Sequence, residues 1–244
     1  RRATHISLIS VSFRRNLLGK GVPDSRITLI PVWADPDVVR PLPKEGPFRA
    51  QHGLAGRFVI LYAGNIGITS CLEDVLGAAI LLRDEPDIRF VIVGEGTKKD
   101  ALQQMARDEG LQNVLFLPYQ PREVFPQVMA AADISLVTLN RSSALTSLPS
   151  KIYNVMASGR PILAVAPPES EIAQLVRDGH CGLGVPPEQP ALLAETIVRA
   201  KGDAAHLSAM GERGRALLES HFSRSHCVEM YERMLLSLLP ASPS

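Results

Sequence analysis

The sequence contains no apolar run near the about 20 residues that a membrane-spanning helix needs, and it has no strong excess of either charge. Its net charge is +1, with acids and bases interspersed. A surface built for nucleic acid usually carries a basic bias, so that class is disfavoured. Cysteine is scarce: Cys71, Cys181 and Cys227 are odd in number and far apart. Neither a Cys-x-x-Cys pair nor a His/Cys cluster shows zinc-ligand spacing, and the six scattered histidines suggest no metal. The thiols therefore read as reduced and buried, as in the cytosol. No signal peptide is read, because Arg1-Arg2-Ala-Thr-His leads straight into a strand-like segment. Opening on Arg rather than Met, the chain reads as a processed chain or an excised fragment.

Two common phosphate motifs are missing as well. Val93-Gly-Glu-Gly-Thr97 starts like a dinucleotide fingerprint, but Lys99 stands where GxGxxG needs its third glycine. The phosphate loop GxxxxGK[ST] fails too, which sets aside hydride transfer and P-loop hydrolysis. What is present is an ordinary globular composition, 45% hydrophobic and 21% charged. Over 244 residues that is enough for one large α/β domain or a domain with part of another.

Apolar runs alternate with segments of helical period. His5–Val11 and Ile27–Pro31 read as strands around a helix, Ser12–Lys20. A Pro- and charge-rich linker, Trp33–Arg57, follows, with a short helix near Phe48–Gly53. Strands are expected at Phe58–Ala63, Arg89–Val93, Val114–Leu117, Ile134–Leu139, Pro161–Ala166 and Gly182–Val185. Helices are expected at Leu72–Arg83, at Lys98–Glu109 opened by a Thr97-x-x-Asp100 capping box, and at Pro121–Ala131 with Pro at N1. Further helices are Ser150–Ser158, Glu169–Asp178, Pro190–Lys201, Asp203–Ser220 and Ser223–Leu239. Val228, Tyr231, Met234, Leu235 and Leu238 form one stripe on the last, read as packing, and Pro240–Ser244 reads as a frayed tail. Strands separated by helices imply parallel βαβ units, hence a Rossmann-like doubly wound parallel sheet over Phe58–Val185. Ligands then bind outside the carboxyl ends of the strands.

The most informative stretch is Leu148-Pro-Ser-Lys-Ile-Tyr-Asn-Val-Met-Ala-Ser-Gly159. It places backbone N–H groups, the Ser150 hydroxyl and the Lys151 ammonium together at a helix N-terminus, where an anion is favoured. Gly64, Asn65 and Gly67 sit at the end of the strand Phe58–Ala63, where glycine lets a ligand approach the backbone or supplies positive φ. Gly94 and Glu95 sit at the next strand end, where glycine would let a ligand lie across it. Tyr119, in Leu117-Pro-Tyr-Gln-Pro121, reads either as a ring that stacks on a base or as a buried turn tyrosine.

As an ordered set these pieces resemble the carboxyl-terminal half of a family 4 (group 1) GT-B glycosyltransferase. The matching segments begin with Val11-Ser through Gly21-Val and Ile27-Thr-Leu-Ile-Pro31-Val-Trp-Ala-Asp35. Tyr62-Ala-Gly-Asn-Ile-Gly67, Val93-Gly-Glu-Gly96, Asn113-Val-Leu-Phe-Leu-Pro-Tyr119 and Ala131-Ala-Asp133-Ile follow. Pro149-Ser-Lys151, Met156-Ala-Ser-Gly159-Arg-Pro161 and Leu175-Val-x-Asp-Gly179 complete them. The Gly-Asn-Ile-Gly turn and the Pro-Ser-Lys segment look most like bacterial enzymes of O-antigen, lipopolysaccharide and other surface polysaccharides, including N-acetylfucosaminyl-type transferases.

The resemblance implies residues 1–45 as the end of an amino-terminal acceptor domain and linker, 46–220 as the nucleotide-sugar donor domain, and 221–244 as a helix crossing back. The rest of the amino-terminal domain is expected to be missing, and the fragment to be inactive alone. It implies a hexosyltransferase-type enzyme with no cofactor and no metal, using a UDP- or GDP-sugar. The acceptor is a glycan or polyprenyl-linked sugar, in the cytoplasm or at the inner membrane face. Gly64, Asn65, Gly67, Gly94, Glu95, Tyr119, Leu148, Pro149, Ser150 and Asn154 are expected at the donor, with Lys151 as the catalytic cation. The family's paired glutamates fall on Thr146 and Asn154, and its two basic residues after the first donor strand fall near Asn65 and Ser70. Lys151 would supply the lost positive charge, and Asn154 can still hydrogen-bond a ribose hydroxyl. Two other readings compete: a nucleotide-sugar-binding module without transfer, and a nucleotide-sugar epimerase, for which no acid/base residues are found.

Overall fold

In the computed structural model, which describes residues 3–144 and 146–239, a parallel pair precedes a six-stranded parallel sheet. The pair is β1 (Ile6–Leu8) and β2 (Ile27–Leu29), joined by α1 (Val11–Gly19). A connecting segment with a short helix, α2 (Pro47–Gln51), leads into β3 (Phe58–Ala63), α3 (Leu72–Leu81), β4 (Ile88–Val93), α4 (Lys99–Asp108) and β5 (Val114–Leu117). The chain then returns through α5 (Phe125–Ala130), β6 (Ile134–Thr138), α6 (Lys151–Ala157), β7 (Ile162–Val165), α7 (Glu171–Asp178) and β8 (Gly182–Val185). Helices α8 (Pro190–Lys201), α9 (Ala204–Leu217) and α10 (Arg224–Ser237) follow.

The strand order is β5-β4-β3-β6-β7-β8, all parallel. The chain winds outward from β3 and then back to β6 on its other side. That makes the carboxyl ends of β3 and β6 the topological switch point, where such sheets bind ligands. The continuous apolar runs reflect burial on both faces. Ile60, Tyr62, Phe90 and Ile92 point to one core under α3 and α8, while Val59, Leu61, Val91 and Val93 point to the other under α6.

One buried ion pair ties the amino ends of the central strands together. Arg49 is 1% exposed, and its guanidinium donates to the carbonyls of Ala131 and Arg57 (both 2.9 Å) and to Asp133 Oδ2 at 2.6 Å. Asp133, just before β6, also accepts from the Val59 amide of β3 at 2.8 Å and from Lys44 at 2.6 Å. At the other end of α6, Arg215 of α9 donates to Ala157 O at 2.7 Å and to Val39 O at 3.1 Å. Gly211 of α9 lets the Gly159 turn approach, since a Cβ there would lie 2.1 Å from Gly159 O. Helix α6 is thus held at a set height above the sheet.

Four local expectations are corrected. Thr97 does not cap α4: Lys98 is the N-cap, and no side chain accepts there. Pro121 does not begin α5; its carbonyl accepts from Val124 and Phe125 in a preceding turn, and Pro126 takes the early helical position instead. The helix expected to run to Ser220 ends at Leu217 and opens into a wider turn, Leu218–Phe222. The α10 stripe is packed only in part: Tyr231 and Met234 are half-buried, whereas Val228, Leu235 and Leu238 are 48%, 57% and 42% exposed. This helix lies against the first segment, through the Ala34–Ser223 bridge and the Trp33–Tyr231 edge contact, not against the sheet. Arg1, Arg2 and the tail Pro240–Ser244 lie outside the described residues. The three thiols are free and buried.

Removing Asp133 leaves the Arg49 guanidinium without its buried counter-charge. Asp133→Ala should lower stability by about 3–5 kcal/mol, the scale for breaking a buried pair, read as an earlier urea midpoint. An unchanged midpoint would show that Glu45 and the carbonyls satisfy Arg49 alone.

Candidate functional site

The site forms where two loops meet at the switch point. The first leaves β3. Gly64 turns with φ +147°, its amide donating to Val93 O at 2.9 Å, and the Ile66 amide donates to Glu95 O at 2.8 Å. The turn therefore rides directly on the end of β4. Only glycine permits that approach: a Cβ on Gly94 would lie 1.9 Å from Gly64 O, and one on Gly96 would lie 2.3 Å from Ile66 O. The close approach expected of a ligand at Gly94 is instead made by the neighbouring backbone. Gly67 makes room for the Asn65 side chain. The Tyr62 hydroxyl donates to Asn65 O at 2.6 Å, pinning the turn from beneath.

The second loop leaves β6. Asn140 fastens it to the first, its amide donating to Thr69 O at 3.0 Å and its Nδ2 to Ile68 O at 2.9 Å. Leu148 packs on the core and turns the chain into α6. Ser150 is exposed and is the N-cap, but its hydroxyl caps nothing. The Ser150 and Lys151 amides donate to no backbone carbonyl among the described residues.

The Lys151 side chain crosses between the loops. Its Nζ lies 3.5 Å from the centre of the Tyr62 ring, and a Cβ on Gly64 would lie 2.9 Å from it. Burial pushes its ammonium down to about 7, and burial likewise raises the Tyr62 phenol above its ordinary range. No carboxylate lies within ion-pair distance of Lys151 among the described residues.

These elements enclose a cavity of about 350 Å³, within the usual range for small-molecule sites. Of the residues expected at the donor, Gly64, Asn65, Tyr119, Pro149, Ser150, Lys151 and Asn154 line it. Gly67, Gly94, Glu95 and Leu148 do not. Glu95 instead pairs with Lys99 at 2.7 Å, while Gly67, Gly94 and Leu148 shape the loops. Tyr119 is 55% exposed, so its ring offers an open face rather than filling a turn. Sequence reasoning missed Tyr62, Thr69, Ser70, Gln120, Phe125, Thr138 and Ser147, which also line the cavity. Their signal was position alone, at the carboxyl ends of strands or in the loops that follow. Thr138 Oγ1 is buried there without a partner among the described residues. Among the described residues no acid lines the cavity, and Lys151 is its one cation. A carboxylate-free cavity with a lone ammonium and two unpaired amides suits an anion. A larger cavity, about 440 Å³, runs along the β8 edge, where Arg177, His180, His206 and Arg213 line it, away from the β3–β6 switch point. Among the described residues no group of three or more His, Cys, Asp or Glu is placed to hold a metal.

Lys151 releases its proton near pH 7 in the native state and near 10.4 when unfolded. Between those values the unfolded chain binds more protons, so this residue makes stability rise with pH across that window. In Lys151→Met the gain in Tm from pH 7 to pH 9 should shrink relative to the wild type. Identical gains would mean that the ammonium is solvated.

The sequence profile of the group 1 glycosyl transferases matches residues 45–217. WcaI of Escherichia coli (strain K12), named for colanic acid biosynthesis as a glycosyl transferase, is 36% identical over 181 residues, covering 70% of this chain and 42% of WcaI. WbjE of Pseudomonas aeruginosa, named as a glycosyltransferase, is 29% identical over 228 residues, covering 93% of this chain and 56% of WbjE. The chain thus spans about half the length of these relatives. Among solved structures, Anabaena HepE in complex with UDP superposes with a TM-score of 0.84 at 20% identity, covering 97% of this chain and 64% of HepE. At that identity the likeness shows a shared GT-B fold. With its family profile spanning most of the six-stranded unit, the chain belongs to the group 1 glycosyltransferases.

Proposed function

We propose that this chain is the donor-binding part of an enzyme that transfers a sugar from a nucleoside diphosphate sugar to a glycan or polyprenyl-linked acceptor in bacterial surface polysaccharide synthesis. The observation that carries the reading is the Lys151 ammonium, without a carboxylate partner among the described residues, in a cavity at the switch point that Ser150 at the start of α6 also lines. HepE has been solved with UDP and with UDP-glucose, and WcaI is named for colanic acid biosynthesis. Residues 46–220 would form the donor domain, while 1–45 and 221–244 would belong with an amino-terminal acceptor domain. The reaction would run in the cytoplasm, at the inner membrane face where lipid-linked acceptors lie. No helix among the described residues is long and apolar enough to cross a membrane.

In this reading the diphosphate sits at the start of α6. As the bond between the anomeric carbon and the distal phosphate oxygen breaks, negative charge grows on the departing diphosphate. The Lys151 ammonium, already seated over Tyr62, and the amides that open α6 would meet that charge with little reorganisation as it forms. The open face of Tyr119 suits a nucleobase, and Asn154, on the cavity wall, suits a ribose hydroxyl. By family resemblance no cofactor takes part. Either UDP- or GDP-sugars fit this set of contacts, because none of them reads the base edge.

Calorimetry with UDP, GDP and their sugars tests the assignment. Lys151→Met should lose about 1–3 kcal/mol of affinity for the nucleoside diphosphate, roughly 5- to 150-fold in Kd, and little for the nucleoside. Equal affinity for the diphosphate would remove Lys151 from the donor site. A module that only holds the nucleotide sugar would bind but show no turnover in the full-length protein.

A further inference from the structure

Lysines with a task in the fold find carboxylates here: Lys44 reaches Asp133, Lys98 reaches Glu73, Lys99 reaches Glu95 and Lys201 reaches Glu85. Lys151 instead reaches a ring. Its Nζ stands 3.5 Å over the Tyr62 centroid and against the bare Cα of Gly64. Any side chain at position 64 would collide with it, since a Cβ would lie 2.9 Å from Nζ. Tyr62 in turn is fixed. It is 1% exposed in the sheet core, and its hydroxyl donates to Asn65 O at 2.6 Å. The ammonium is therefore held on one side by a rigid aromatic face and on another by backbone, with the cavity on its open side.

We infer that Tyr62 is a positioning residue for the donor diphosphate: its ring face seats the Lys151 amine group against the Gly64 turn, in place before the donor arrives. This rests on the donor-site reading above. A carboxylate in that seat would neutralise the charge the diphosphate needs. The ring quadrupole favours the cation without neutralising it. It also opposes the burial that drives the proton off Lys151. And it spares the long side chain the ordering cost that it would otherwise meet on binding. Titratable groups facing Lys151 are few: Tyr62 from β3 and Tyr119 from the turn after β5. The walls from α5, β6, the Asn140–Ser150 loop and α6 contribute none among the described residues.

The test compares Tyr62→Phe, which keeps the ring, with Tyr62→Leu, which removes it and keeps an apolar core residue. Side-chain NMR of the carbon-13-labelled lysine follows the Lys151 ionisation in each, and thermal unfolding confirms that each is folded. Tyr62→Leu should make the ammonium about 2- to 30-fold more acidic, the range for a cation over a ring face, and Tyr62→Phe should match the wild type. Calorimetry at pH 7 should then show Tyr62→Leu binding UDP several-fold more weakly and taking up more protons as it binds, with uridine affinity unchanged and Tyr62→Phe again as wild type. The same Lys151 ionisation in all three proteins overturns the inference, as does wild-type UDP binding and proton uptake in folded Tyr62→Leu. Wild-type protein that binds neither UDP nor GDP sinks the donor-site reading, and this inference with it.

Discussion

The turn after β3 contains no side chain at Gly64, and the arrangement at the strand ends depends on that vacancy. The Gly64 carbonyl passes where a Cβ on Gly94 would stand, and the Lys151 ammonium lies where a Cβ on Gly64 would press. The loops after β3 and β6 are far apart in sequence and are brought together by backbone carbonyls at Ile68 and Thr69 that accept from Asn140. Close-packed interiors leave little slack for an added methyl. A single added carbon at either glycine would move the turn, the ammonium, or both. The glycines of Tyr62-Ala-Gly-Asn-Ile-Gly67 and Val93-Gly-Glu-Gly96 thus serve contact between protein segments first and access for a ligand second.

Two buried cations are treated in opposite ways, and the contrast separates scaffold from site. Arg49 is saturated: two backbone carbonyls, Asp133 and Glu45 meet its guanidinium at the amino ends of β3 and β6. That geometry suits a planar fork with several fixed donors. Lys151, at the carboxyl ends of the same two strands' loops, has no counter-charge among the described residues and rests on a ring face. A cation already matched in the protein is a fastening. One held in place yet unmatched keeps its field for something that arrives from solution. The sheet thus places its paired charge at one end of β3 and β6 and its unpaired charge at the other.

Much of the scaffold was legible because the signals are local. The uninterrupted apolar run Phe58–Ala63 announced a strand covered on both faces, and the stop at Gly159 announced the end of α6, where φ is +67°. Capping was less legible. Thr97 and Pro121 both carry the right chemistry for a helix start, yet each helix starts later: the backbone before Thr97 is pressed against Ile66 O at Gly96, and the Pro121 carbonyl closes a separate turn with Val124 and Phe125. The α10 stripe has the period of a packed face, but period reports that a face is apolar, not what lies under it.

By itself the sequence determined the alternation of strand and helix, the parallel doubly wound sheet, and the polar Pro149-Ser-Lys151 entry to α6, since each follows from spacing or backbone chemistry within a few residues. Only the tertiary structure decided that Tyr62 lies beneath Lys151, that Gly94 yields to Gly64, that Glu95 and Leu148 stand outside the cavity, and that Thr138 lines it. Those relations join residues from β3, β4, β6 and α6. They are set by crossover handedness, strand register and the height of each helix above the sheet, none of which has a counterpart in the order of neighbouring residues.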